Sequence, residues 1–182
     1  MSEGAACDLC GREGEKLSAH YGLGICPHCV AGKFHEDRIS KLWGADLEVL
    51  SQEEFDPDLH SSPIVHKLEV SGTFPHHVDV AATFIPERAG HKMVKLFKDE
   101  LQAGDPLFDD AIYIKDVDRE GTRKLIANRD AQQAILDLVG NSGTLTLAPG
   151  SLRYHWSGRG GDVPRQQTLA VHALARHLSQ LR

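Results

Sequence analysis

All four cysteines of this chain fall within its first thirty residues, as Cys7-Asp8-Leu9-Cys10 and Cys26-Pro27-His28-Cys29, with fifteen residues between the pairs. That spacing, C-x2-C-x15-C-x2-C, brings four thiolates around one ion in a tetrahedron, and Zn²⁺ is the ion it suits. Three other readings compete with it. A thioredoxin-like redox pair calls for one C-x-x-C after a strand in a βαβ unit, and two pairs without that context fit it poorly. Two disulfides belong to an oxidising compartment, yet no apolar export segment precedes Cys7. A site of three cysteines and one of His20, His28 or His35 is chemically admissible, although four cysteines complete the shell without it. The expectation is therefore a structural zinc held by Cys7, Cys10, Cys26 and Cys29. A closed shell of four thiolates leaves no open position for water, so no catalysis is expected of the ion.

The residues around the pairs suggest how such a module folds. Gly11 follows Cys10 and supplies the permissive backbone of a tight knuckle. Lys16 to Ile25 reads as two short strands around a turn. Val30 to Trp43 places Val30, Phe34, Ile39, Leu42 and Trp43 roughly on one helical face. Knuckle, hairpin and a second pair at the start of a helix, together with the run Cys-x-x-Cys-Gly, resemble treble-clef fingers among the zinc-ribbon-like four-cysteine modules. The resemblance covers about the first forty-five residues and implies a metal; its relatives serve nucleic-acid, protein and purely structural roles alike.

The net charge of −6 is unevenly distributed. Residues 1–43 carry five basic and six acidic side chains. Residues 44–63 carry six acids and no Lys or Arg, and residues 64–182 are nearly balanced with fifteen basic and fourteen acidic groups. Neither flank shows the basic stripe by which a duplex binder displaces counterions. A local patch of Arg12, Lys33, Arg38 and Lys41 on the finger keeps nucleic acid as a possible partner. The acids, Asp56-Pro57 and Ser62-Pro63 make residues 45–63 read as a solvated acidic linker, with a brief docked turn through Leu47, Val49 and Leu50. The organisation expected is a zinc finger over 1–44, this linker over 45–63, and a second domain over 64–182. No apolar run is long enough for a transmembrane helix, and the cytoplasm is the expected compartment.

The second domain reads as α+β, a mainly antiparallel sheet packed by two or three helices. Val65 to Ser71 alternates apolar and polar, His77 to Ile85 follows as a neighbouring strand, and Ala111 to Lys115 is another. Lys92 to Phe97 fits a short helix or a strand equally. Asp118 caps a short helix through Leu125 and Ile126, and a second helix runs over about Asp130 to Val139 and stops at Gly140. Thr144–Leu147 and Leu152–Trp156 form a hairpin whose turn, Ala148-Pro149-Gly150-Ser151, suits type II. After a flexible Gly158-Arg159-Gly160-Gly161, Asp162 and Pro164 open a terminal helix with Val171, Leu174, Leu178 and Leu181 inward. If that face is wider than the sheet can cover, a homo-oligomer is possible.

The run from Ala103 to Ile114 resembles a motif of poorly characterised bacterial domains, in which a Gly-Asp-x-x-Phe-Asp turn leads into a strand, two helical segments and a hairpin. Residues 92–156 follow that order. The resemblance implies no reaction. Physically, Phe108 is expected to plug the core while Asp105 and Asp109 bind turn amides.

Residues able to carry chemistry are scattered. His76-His77 precede a strand, and since neighbours in a strand point to opposite faces, regular geometry does not bring both into one site. His172 and His177 stand five apart on a helix, and solvated or hydrogen-bonded histidine is the simpler reading of each. Asp105, Asp109 and Asp110 offer carboxylates for a cation, though adjacent acids more often make a turn. Trp43 and Trp156 are read as buried aromatic residues rather than partner anchors. The function expected is a non-enzymatic adaptor that contacts a protein partner. A nucleic-acid-associated regulator working through the finger is the first alternative. The second is an enzyme whose site gathers His76, His77 or His91 with carboxylates.

Overall fold

The computed structural model describes residues 5–55, 64–74, 79–87, 101–115, 118–140, 142–159 and 163–181. Two antiparallel sheets and six helices make up the described residues, an α+β fold with the cysteine cluster at its N-terminal end. The smaller sheet pairs β1 (Ser18–His20) with β2 (Leu23–Ile25). The short helix α1 (Pro27–Val30) begins inside the second cysteine pair, and α2 (Glu36–Trp43) follows. The single helix expected over residues 30–43 is thus broken in two. Gly32 lies at φ +75, outside the helical region, between the two segments.

Six strands build the larger sheet: β3 (Asp46–Phe55), β4 (Ile64–Thr73), β5 (Ala82–Pro86), β6 (Ile112–Lys115), β7 (Thr144–Ala148) and β8 (Ser151–Arg159). Their spatial order is β3-β4-β8-β7-β5-β6, with every pair antiparallel. The register explains the alternation in the sequence. Val49, Val70, Tyr154, Leu145, Phe84 and Ile114 stand opposite one another in one row across the sheet. All of them are buried except the half-buried Val49. The adjacent row, Glu48, Ser71, Arg153, Thr146, Thr83 and Lys115, faces the other way, as a two-residue period demands. The β7–β8 turn has Gly150 at φ +73, where a type II turn needs a left-handed residue.

Residues 46–55 correct the linker reading. They form the edge strand β3, paired with β4 along its whole length. Only Gly44, the left-handed cap of α2 at φ 59, and Ala45 separate the finger's last helix from the sheet. The acids misled because Asp46, Glu48 and Glu54 lie on the solvent-facing side of an edge strand, where charge discourages pairing with other chains. Residues 56–63, with both proline breakers, lie outside the described residues. So do His76, His77, His91, the ambiguous stretch 92–97 and Gly160 to Asp162. Gly158 and Arg159 belong to β8 rather than to a loop.

The helices lie against one face of the sheet. α3 (Pro106–Ala111) is capped by Asp105, whose carboxylate accepts from Leu107 N at 2.9 Å and Phe108 N at 3.3 Å. Asp109 accepts from Ala103 N at 2.8 Å and Gly104 N at 3.0 Å, so both acids organise the turn. α4 (Arg119–Ile126) is capped by Asp118, and α5 (Arg129–Val139) by Asn128. α6 (Val163–Gln180) packs on α5 and reaches β4. Along α6 every residue from Leu169 to Ala175 is buried, a full circumference rather than one stripe. The sheet and α5 cover part of it, and the finger covers the remainder. Leu169 to Ala175 are therefore covered within the chain.

Candidate metal centre

The first pair sits on a knuckle. Gly11 N donates to Cys7 O at 2.8 Å and Cys7 N to Arg12 O at 2.9 Å, a reversal that Gly11 permits at φ +66. The second pair straddles the end of β2 and the start of α1. Proline at the first helical position favours a helix beginning there. Cys26 N donates to Cys7 Sγ at 3.3 Å and so ties the two pairs together.

All four cysteines are buried and free, and their sulfurs lie within 4.8 Å of one another. Cys10 Sγ and Cys26 Sγ are 3.7 Å apart, far beyond a disulfide bond. A tetrahedron with metal–sulfur bonds of about 2.3 Å has edges of about 3.8 Å, so the spacing fits an ion at the centre. The thiols themselves ask for one. Cys29 is pushed up by its hydrogen bond to Cys7 and by burial, and Cys10 by burial. Cys7 is held low by the bond from Cys29. Four thiolates cannot ionise together in this buried space without a compensating cation. Sulfur donors in tetrahedral order suit Zn²⁺ or iron rather than Mg²⁺ or Ca²⁺.

The three histidines that were alternatives to a fourth cysteine are engaged elsewhere. His20 meets Ser18 Oγ at 3.1 Å, His28 stands 3.5 Å from a Glu15 oxygen, and His35 Nε2 contacts Arg12 Nη2 at 2.5 Å. Arg12 also pairs with Glu15 at 2.9 Å, which leaves Lys33, Arg38 and Lys41 as the exposed cations of the suggested basic patch.

What the sequence did not reveal is how firmly this module is docked. The β1–β2 turn holds Tyr21 at φ 51 and Gly22 at φ 71, two consecutive left-handed residues as in a type I′ hairpin. Its tip presses on α5 and α6. Tyr21 Oη donates to Asp137 Oδ2 at 2.8 Å, and His177 Nε2 lies 2.9 Å from Tyr21 O. Gly22 is favoured by its left-handed φ, and a Cβ there would stand 2.2 Å from an oxygen of the exposed Asp130 side chain, which would have to swing aside. Gly22→Ala should therefore cost about 1–2 kcal/mol from left-handed strain alone, read as a lower denaturation midpoint at unchanged slope. Further along, Phe34 stacks on His172 with ring centroids 4.0 Å apart, and Trp43 lies 5.9 Å from the same imidazole.

His172 is the group that departs furthest from the expected solvated histidine. It is 1% exposed, and its Nδ1 has no partner among the described residues. Burial holds its pKa down at about 4. In the unfolded chain a histidine titrates near 6.5, so between those values the unfolded state binds a proton that the folded state refuses. Stability should accordingly fall as pH drops from about 6.5 to about 4, by about 3 kcal/mol in all. Denaturation of wild type and His172→Phe across that range isolates the effect, because acid release of the metal is common to both. The difference in stability between the two should shift steadily against wild type with acidification.

Trp43 and Trp156 are both buried, as read from the sequence. No protein-family model, curated protein or solved structure matches the chain. None of the described helices is long and apolar enough to cross a membrane.

Proposed function

We propose that Cys7, Cys10, Cys26 and Cys29 hold one structural Zn²⁺ in a finger of treble-clef type, and that the chain is a non-enzymatic adaptor for a protein partner. The observation that carries this reading is the closed shell. Four buried sulfurs take all four tetrahedral positions and leave none for water or substrate. The ion's work is to fold residues 7–30, and the finger's inner face is then spent on α5 and α6. Its outer face remains available: Arg38 and Lys41 are exposed on α2, beside Leu42 at 52% exposure. An apolar residue flanked by two cations is a reasonable anchor for a protein surface.

The test is affinity capture with the intact chain and with an Arg38→Glu, Lys41→Glu, Leu42→Ser triple variant. Deleting the finger is the poorer experiment, since it strips cover from α6 and invites non-specific association. A partner retained by the intact chain and lost by the variant supports the proposal. Identical partners, or none, count against it.

A nucleic-acid role rests on Lys33, Arg38 and Lys41, each of them exposed on the finger. Binding of this kind must weaken steeply with salt. Affinity indifferent to ionic strength, or no retention of a mixed-sequence duplex at 50 mM salt, removes it.

A further inference from the structure

β3 is the outermost strand of the six-stranded sheet, and no strand lies along its far edge among the described residues. It runs for ten residues, Asp46 to Phe55, and its backbone pairs only with β4 among those residues. In an antiparallel ladder alternate residues bond to a given neighbour, so about half of its N–H and C=O groups point outward without a strand to receive them. Glu48 and every residue from Leu50 to Phe55 are exposed, which leaves both faces of this half of the strand open. The strand carries Asp46, Glu48, Glu53 and Glu54 and no Lys or Arg. His66 and Lys67 of β4 face Glu53 and Glu54, while Asp46 and Glu48 have no ion pair among the described residues.

We propose that this edge takes an extended basic segment of a partner protein as a seventh strand of the sheet. The open backbone edge supplies the bonding, and the acids decide which strand it accepts. Strand addition of this kind draws its affinity from main-chain hydrogen bonds and its choice of partner from alternate side chains. A period of two places Asp46, Glu48, Leu50, Gln52 and Glu54 on one face of β3. A strand with Lys or Arg at alternate positions about an apolar residue matches that face, because opposite charges directly across a ladder attract. A hollow of about 860 Å³ borders the same face at Asp46, Glu48 and Leu50, with room for long basic stems. A second copy of the chain fits worse. In the full antiparallel register of β3 with itself, Asp46 meets Phe55 and Glu48 meets Glu53, twice by symmetry, and like charges so placed destabilise a sheet. Nucleic acid carries the wrong sign of charge. The inference goes beyond the adaptor reading, whose contact surface is α2, and does not rest on it.

Fluorescence anisotropy of the full metal-loaded chain with the labelled peptide Lys-Val-Lys-Val-Thr-Thr-Lys-Val-Lys-Val tests the proposal. The control peptide replaces the central Thr-Thr with Pro-Pro, which keeps every charge but removes two adjacent donors and disrupts a strand. Saturable binding of the first peptide, about tenfold or more tighter than the second, is expected. Glu48→Lys with Gln52→Lys changes two exposed side chains and should weaken the first peptide about fivefold or more. Hydrogen exchange should show alternate amides of β3 gaining protection when that peptide is added, since the others already bond to β4. Equal affinity for the two peptides, no binding at millimolar peptide, affinity unchanged in the charge variant, or no gain of protection along β3 overturns the proposal. Sedimentation in which the chain dimerises and the peptide competes assigns the edge to a second copy and overturns it equally. Zinc content of the same samples and affinity capture on α2 are separate readouts, so a failure of either reading shows by itself.

Discussion

Stripping the metal from the folded protein should unfold the finger and expose the flank of α6 beneath it. Structural four-thiolate zinc contributes on the order of 10 kcal/mol to such modules, and the unliganded peptide has too small a core to replace it. The loss does not stop at residue 30. Tyr21, Phe34 and Trp43 are the finger's contacts with Asp137, His177 and His172. When the hairpin and α2 come away, those groups and the apolar surface of α6 meet water. Hydrogen exchange measured before and after chelation should show amides of β1, β2 and α1 losing protection first, followed by those of α6 around Leu169 to Leu178. Cys29→Ser should reproduce the pattern without chelator. If α6 keeps its protection while the finger exchanges freely, the two are not one packed unit.

The second large effect is expected far from the metal. Phe108 is fully buried in the short helix that the Gly-Asp-x-x-Phe-Asp run forms, against the neighbouring α5. Phe108→Ala removes a ring from a closed space and should cost about 3–5 kcal/mol. Asp105→Ala, which deletes the cap of the same helix, should cost only about 1 kcal/mol. Thermal denaturation of the two variants ranks them directly. A larger loss at Asp105 than at Phe108 would mean that the motif is held by its turn and not by its plug.

The parts of this fold that could be read from the chain are those whose signal is local. Alternation marks β4 and β8, Asp118 stands where a cap belongs, and Pro149-Gly150 announces its own turn. The cysteine spacing is legible for the same reason, since four identical ligands at fixed offsets admit few arrangements. β3 was missed because an edge strand can be acidic and show only Leu47 and Val49 as apolar markers. Gly32 was overlooked as a break because the apolar spacing from Val30 to Trp43 continues across it. The docking of the finger was beyond reach for a different reason. Tyr21 and Asp137, or Phe34 and His172, are single residues more than one hundred positions apart, and nothing local tells either that the other is its neighbour. His172 shows the consequence: its sequence neighbourhood is that of an ordinary surface helix until the finger closes over it.

Elemental analysis of the protein purified without added metal, together with a count of reactive thiols under denaturing conditions, tests the whole account most directly. One zinc per chain and four free thiols without added reductant, with the zinc lost in Cys26→Ser, is the predicted result. Protein that is folded yet carries no stoichiometric metal, or whose four sulfurs are joined in disulfides, contradicts it.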